Sequence, residues 1–480
     1  MNAAGQSHPH WQALLAWLNT HGMNTSPEAM LVQAKSSPGA GHGLFALRSV
    51  EPATEILSIP SSALLNSATL SPCYPRARRL LSATQLISLH LFLYRPTGSQ
   101  ASTDPLFGPY ISVLPREFDS HPLTWMLNSQ NEHNDVGRAL LITLPISVMC
   151  NLRKLADRFK ADWRIVQQYL KDTIFEHPIS EVAEPVLESL QSKLPGCQED
   201  YLWAWLNVNT RCLYHRLEQS PSDQNNLTLC PILDFANHTT RSNNMSPQRL
   251  MADKTAAPPK MFERDFTILS PSSIPIRQGD ELYLNYGAHS NRTLFVDYGF
   301  VNHVPKDIFL RGEAHGESDV QSAIERLFEA RGDLGTWMKE VLKSERYWGD
   351  WTLHMQPSPA HPSYRLITAL RLYHLFPTSA KKVPLDAEAA LLPWRDTLSG
   401  AAEKVSEKNE ESWRNTLLQL CSTLAEDAAT KIVSSDISAE PDQTKCQWLP
   451  WMKKNIHMLW EEEFYVAKEV ANSIHNGEEF

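Results

Sequence analysis

"GDELYLNYGAHSNRTLFVDYGF", Gly279 to Phe300, decides how this chain is read. Its first part, Leu282-Tyr283-Leu284-Asn285-Tyr286, alternates apolar and polar positions and reads as a strand. After Gly287 the pattern changes, and the run ending at Tyr298 reads as a helix. Each of the two tyrosines is followed at once by a glycine. Taken alone, the stretch is a strand-loop-helix corner in which both phenols serve packing. Chemistry at either phenol needs partners from elsewhere in the chain.

At 480 residues the chain is too long for one core, and two or three domains are expected. Hydrophobic content of 42% and charged content of 20% describe an ordinary globular protein. A net charge of −10 argues against a broad nonspecific nucleic-acid footprint and leaves a basic protein partner open. The seven cysteines, at 73, 150, 197, 212, 230, 421 and 446, include no C-x-x-C pair. They read as reduced thiols, and neither a disulfide framework nor a structural zinc is expected. "MNAAGQSHPHWQ" lacks a basic stretch followed by an apolar core, so no signal peptide is expected. The longest apolar stretch, "ALLITLPISVMCNL", is too short to span a bilayer.

Along the chain, Trp11, Leu14, Leu15 and Leu18 mark an amphipathic helix that Gly22 stops. "SSPGAGHGLFALRSVEPATEILSIPSSALLN" reads as short strands and turns. From about Ser71 to Leu229 the texture is helical, as in "SATQLISLHLFLY" and "DYLWAWLNVNTRCLYH". The proline-rich "DPLFGPYISVLPREFDSHPLTW" between these two reads as irregular. Strand texture returns at Leu229-Cys230-Pro231-Ile232-Leu233 and at Phe266-Thr267-Ile268-Leu269, with a polar loop between them. Strand-rich material thus brackets a helical insert. After about residue 303 the pattern is helical to the end. Leu366, Ala369, Leu370 and Tyr373 form one stripe, and Trp413, Leu417, Leu420, Leu424 and Ala428 form another.

Three further stretches bear on function. "GAGHGLFA", Gly39 to Ala46, alternates glycines that let the backbone turn sharply and approach a ligand. Taken alone it is a tight β-turn, and it lacks the lysine-serine pair of a phosphate loop. "PILDFANHTT", Pro231 to Thr240, ends an apolar run in Asp234, Asn237 and His238. Taken alone it is an Asx-type turn with a surface histidine, too poor in ligands for a metal. "WAWLNVNTR" places Arg211 at the end of a helix, where a lone arginine is ordinarily a surface residue.

Taken in this order, the four stretches resemble the SET-domain protein methyltransferases, and more narrowly the Rubisco large-subunit methyltransferase class. "GHGLFA" resembles that class's first cofactor-binding turn, and "PILDFANH" its Asp-x-x-Asn-His segment. "GDELYLNYG" with "SNRTLFVDYGFV" resembles its catalytic-tyrosine strand, following helix and second tyrosine. "PYISVLP" with Trp125 resembles the linking stretch of its insert, and "VSEKNEESWRNTLLQLC" a helix of its C-terminal substrate-binding domain. The resemblance runs from Trp11 to about Ala428.

It implies an α+β fold: a β-rich SET domain with a knot-like core, interrupted by a helical insert and followed by an all-α domain. Residues 1–302 would form the SET domain, with the insert at about 71–229, and 303–480 the helical substrate-binding domain. The implied cofactor is S-adenosyl-L-methionine. Ala40, Gly41 and His42 would offer backbone groups to it, Asn237 and His238 would hold its amino acid and adenine ends, and Arg211 would sit near its carboxylate. Tyr286 matches the catalytic tyrosine and contributes to the cofactor site. Tyr298 matches the second active-site tyrosine, and with Asp234 it would border the substrate channel. No metal is implied.

There are departures from the class pattern. His42 stands where relatives often have arginine or tryptophan. Pro271 and Pro275 interrupt what is usually a charged strand-turn. No cysteine cluster follows Tyr298, so the zinc-binding tail of histone-type SET enzymes is missing.

The expected activity is methylation of lysine on a non-histone protein. The alternatives are a histidine acceptor, or a catalytically inactive scaffold that only holds a protein partner. The partner is a protein, with no direct nucleic-acid or membrane role. Cytoplasm is the expected compartment and nucleus the second. Substrate identity, methyl count and oligomeric state are not legible.

Overall fold

Gly279, at φ +88°, turns the chain into the strand Glu281–Leu284. The computed structural model describes residues 8–37, 41–74, 80–129, 135–176, 197–217, 220–240, 244–247, 265–311, 313–437 and 446–480. The chain forms two compact units. One comprises Met1–Thr124 and Lys154–Ala288, the other Trp125–Arg153 and His289–Phe480. Ala40 lies outside the described residues.

In the first unit a four-stranded sheet runs Val32–Ser37, Gly41–Ala46, Glu281–Leu284, Asn237–His238. The first two strands are antiparallel, with Ser37 opposite Gly41. Glu281–Leu284 lies antiparallel to Gly41–Ala46, and parallel to Asn237–His238 with Tyr283 opposite Asn237 and Leu284 opposite His238. The resemblance predicts that Gly279–Phe300 runs beside Asp234–His238, and the structure makes the pairing parallel, with residues 239–280 between the two strands. Alternation does its expected work: Ala34, Leu44, Leu282 and Leu284 face the core.

Two three-stranded sheets complete the β part. Glu55–Ile59 and Ser246–Pro247 flank Phe266–Leu269, and Leu65–Asn66 and Leu213–Tyr214 flank Leu227–Leu229. Pro271 and Pro275 fall between the strand ending at Leu269 and the bridge of Ile276 to Val50, where no ladder bond is lost. The strand read through Leu233 stops at Leu229 instead. Pro231 has no N–H to donate, Ile232 takes φ +66°, and Leu233–Phe235 forms a 3-10 turn.

The opening helix is Trp11–Thr20, with Trp11, Leu14 and Leu18 buried and Gly22 at φ +96° beyond it. The insert helix Ala83–Leu93 starts from a capping box of Ser82 and Gln85 and packs on Gln198–Arg211. The apolar face of Gln198–Arg211 continues through Trp203, Trp205 and Leu206. The proline-rich stretch supplies the short helix Gly108–Ile111.

The second unit holds the helix Asn291–Tyr298, capped by Ser290 and ended by Gly299 at φ +81°. Both predicted stripes become helices, Tyr364–Tyr373 and Glu407–Ile437. Trp351, Trp394 and Trp413 are fully buried in their common core. Among these helices sits a small antiparallel sheet of Glu317–Asp319, Thr352–His354 and His361–Pro362. Its strands are too short for alternation to show in the sequence.

Candidate active site

Tyr286 follows the strand Glu281–Leu284 and is held at both ends. Its phenol donates to the Ala236 carbonyl at 2.8 Å, and its amide donates to Nδ1 of His238 at 3.1 Å. The two rings lie 5.1 Å apart. Because Nδ1 accepts, the neutral imidazole carries its proton on Nε2.

Asn237 braces the glycine-rich strand Gly41–Ala46, into which most of the stretch read as a tight turn in fact extends. Its Nδ2 donates to Glu281 Oε1 at 2.7 Å and to the His42 carbonyl at 3.4 Å. Glu281 also accepts from the Tyr283 phenol at 2.9 Å and from Ser37 Oγ at 3.3 Å. One carboxylate thus ties Ser37 directly, and His42 through Asn237, to the strand that leads to Tyr286. Sequence reading missed Glu281, because nothing local marks its partners. A Cβ on Gly43 would sit 2.3 Å from Glu281 Oε1, so a side chain there would displace this carboxylate.

Arg211 closes the helix Gln198–Arg211 and reaches Asp234. Its Nη1 donates to the Asp234 backbone carbonyl at 2.7 Å and lies 3.5 Å from Oδ2. The Tyr110 phenol, fully buried in the insert, donates to the same Oδ2 at 3.3 Å. Burial pushes Asp234 up to about 6, outweighing the opposite pull of Arg211 and of the Tyr110 hydrogen bond. Asp234 therefore sits as a buried anchor for Arg211 and Tyr110.

A cluster of basic side chains converges at His42. The rings of His8 and His42 lie 4.9 Å apart, and each lies about 6 Å from Phe235. His10 Nε2 meets Arg116 Nη2 at 3.4 Å. Burial lowers His8 to about 4, helped by the positive charges of His42, His10, Arg116 and Arg211. Burial and Arg211 lower His42 as well. Among the described residues, Arg211 Nε and Arg116 Nη1 are buried without hydrogen-bond partners. Two unanswered guanidinium nitrogens beside imidazoles held in their neutral form suit an anionic group such as a ligand carboxylate. Sequence reading missed Tyr110, His8 and Arg116 as neighbours of this site.

Tyr298 ends its helix in the second unit, half-buried, with the His289 ring at 6.0 Å and Phe300 at 6.1 Å. Gly41, Arg211, Asp234, Asn237, His238 and Tyr286 are all gathered in the first unit. Among the described residues, no group of three or more His, Cys, Asp or Glu is placed to hold a metal, and no helix is long and apolar enough to cross a membrane.

No family model matches the chain. A structure of Rubisco LSMT bound to sinefungin and monomethyllysine superposes with a TM-score of 0.59 at 18% identity, covering 98% of this chain and 92% of that one. The chain has the Rubisco LSMT type of SET-domain fold. Among its sequence relatives, a ribosomal lysine N-methyltransferase of Schizosaccharomyces pombe is 24% identical over 76% of the chain and 75% of its own length. Human SET domain-containing protein 4 is 23% identical over 92% of the chain and 86% of its own length. Human actin-histidine N-methyltransferase is 24% identical over 62% of the chain and 43% of its own length.

Proposed function

We propose that the chain is an S-adenosyl-L-methionine-dependent protein methyltransferase acting on lysine of a non-histone protein. The observation that carries this reading is Tyr286, clamped by Ala236 and His238 beside the braced glycine-rich strand. Residues 1–302 are taken as the catalytic domain, with the insert at about 71–229, and 303–480 as the domain that holds the protein substrate.

The cofactor supplies an electrophilic methyl group on a sulfonium. Backbone groups of Gly41 and His42, with Ala40 by resemblance, are assigned to hold it. Asn237 and His238 are assigned to its amino acid and adenine ends, and Arg211 to its carboxylate. The unpartnered Nε of Arg211 supports that last assignment.

The chain's own task is to present a neutral amine in line with the methyl. A free lysine near pKa ~10.4 costs roughly 4.6 kcal/mol to keep neutral at pH 7, and an apolar channel lowers that cost. Holding the reactants in near-attack geometry supplies several more kcal/mol. Tyr286 already donates its phenol hydrogen to Ala236, so its oxygen offers only lone pairs toward a methyl C–H. Tyr298 is assigned to line the channel and exclude water, and Asp234 to stiffen its edge.

Histidine is the second acceptor reading, supported by the likeness to the actin-histidine enzyme. An inactive scaffold is disfavoured because Arg211, Asn237, His238, Tyr286 and Tyr298 are all present. Cytoplasm is the proposed compartment and nucleus the second.

Titration calorimetry with S-adenosylmethionine, followed by labelled-methyl transfer in a cell lysate and hydrolysis of the labelled protein, tests the reading. Cofactor binding and methyl-lysine are expected. Methyl-histidine would replace the acceptor, and absence of cofactor binding would overturn the enzymatic reading.

A further inference from the structure

We infer that Glu462, on the helix Leu449–His475, is a positioning residue for Tyr298. Glu462 is only 4% exposed, and its carboxylate accepts two hydrogen bonds on opposite oxygens. Asn291 Nδ2 donates to Oε2 at 2.7 Å, and the Glu317 amide donates to Oε1 at 2.9 Å. Asn291 is the first residue of the tyrosine helix. Its Oδ1 accepts from the Asn302 amide at 2.7 Å, and its Nδ2 also approaches the Asn302 carbonyl at 3.4 Å. One side chain therefore links the start of the helix to the chain just beyond its end, closing a ring around Tyr298. Glu462 fastens that ring to the C-terminal helix.

Neighbouring contacts reinforce the clamp. Arg292, next in the tyrosine helix, pairs with Glu317 at 3.0 Å and with Asp319. Phe295 packs at 6.3 Å from Trp125, which stacks on Trp448 at 5.8 Å. All of these groups belong to the second unit. Packing alone asks for no charge at Glu462, and an apolar side chain would fill the space at less cost. Two donors aimed at a buried carboxylate instead specify one orientation of the tyrosine helix. Glu463 beside it accepts from Ser147 Oγ at 2.7 Å and does not touch Asn291 by any described bond, which makes it the natural control.

The inference rests on the reading that Tyr298 borders the substrate channel. The test compares Glu462→Gln, Glu463→Gln and the swap Glu462→Gln with Asn291→Asp in the full chain. In the swap, the carboxylate introduced at position 291 accepts from both the Asn302 amide and the new side-chain amide at position 462, restoring the two short links of the ring and giving up only the 3.4 Å contact to the Asn302 carbonyl. Hydrogen exchange and methyl transfer are measured, with S-adenosylmethionine affinity alongside. Glu462→Gln is expected to speed exchange across 291–300 and lower kcat, each by about tenfold or more, because the glutamine NH2 leaves one of the two buried donors unsatisfied. Cofactor affinity and exchange across 281–285 stay at wild-type values, and the swap recovers most of both losses. Equal effects in Glu463→Gln, failure of the swap to recover, or wild-type exchange in Glu462→Gln would overturn the inference. A wild-type chain without methyl transfer would refute the enzymatic reading, while its exchange data still decide whether Glu462 holds the helix.

Discussion

Tyr286 and His238 are joined through the main chain of one and the ring of the other: the Tyr286 amide donates to His238 Nδ1 at 3.1 Å. The phenol is separately tied to Ala236 at 2.8 Å. Removing the phenol oxygen therefore leaves the amide link and the imidazole tautomer in place. Tyr286→Phe is expected to keep cofactor affinity within about threefold and to lower kcat by about a hundredfold, the range for loss of an oriented catalytic group. Full activity in a methyl-incorporation assay would remove Tyr286 from the chemistry.

Glu281 collects donors from Asn237, Tyr283 and Ser37. A glutamine there turns an NH2 toward at least one of them. Glu281→Gln is expected to cost about 1 kcal/mol of stability, the difference between hydrogen bonds to a charged and to a neutral acceptor, because the Tyr283 and Ser37 hydroxyls can turn to accept from the NH2. It should also weaken S-adenosylmethionine binding, because the glycine-rich strand loses its brace. Unchanged melting temperature and affinity would show that the brace is idle.

Gly43→Ala tests the same contact from the other side. Its Cβ would lie 2.3 Å from Glu281 Oε1 and 3.1 Å from Asn237 Nδ2, so the brace must shift. Calorimetry is expected to show weaker cofactor binding with the helical circular dichroism signal retained. Wild-type affinity would mean that Glu281 moves aside without consequence.

Burial raises three carboxyl groups: Asp234 to about 6, Glu462 to about 7 and Glu463 to about 7. Each folded-state value lies above the unfolded one. Their stabilising effect is thus complete below the ordinary carboxylate range and is lost as pH rises toward 6 to 7. For Asp234 the loss amounts to roughly 3 kcal/mol, at ~1.4 kcal/mol per pKa unit. Asp234→Asn and Glu463→Gln are each expected to flatten the fall in melting temperature between pH 5 and pH 8. Scanning calorimetry across that range checks the sign, and a steeper fall in either variant would contradict it.

Local signals were legible where the cause is local. Trp11, Leu14 and Leu18 repeat on one face of a helix that Gly22 stops, and Leu282 and Leu284 repeat on one face of a strand. Pro231 and Ile232 defeated the strand reading because apolarity was read where backbone geometry decides. The small sheet of the second unit was missed because two- and three-residue strands leave no period.

The site divides in the same way. The order of the glycine turn, Arg211, the Asp-x-x-Asn-His segment and the two tyrosines is a property of the sequence alone, and it carried the family resemblance and the candidate residues. What holds those residues is not written beside them. Asn237 meets Glu281 across 44 residues, and Asn291 meets Glu462 across 171. Tyr286 and Tyr298 sit twelve residues apart yet belong to different compact units, parted between Ala288 and His289. Periodicity and capping depend on neighbours within a turn or two of chain, and so the sequence determined the elements and their order. Hydrogen bonds between distant buried groups depend on which surfaces meet, and only the tertiary structure decided that a carboxylate on one strand braces the glycine-rich strand and a C-terminal glutamate holds the second tyrosine's helix.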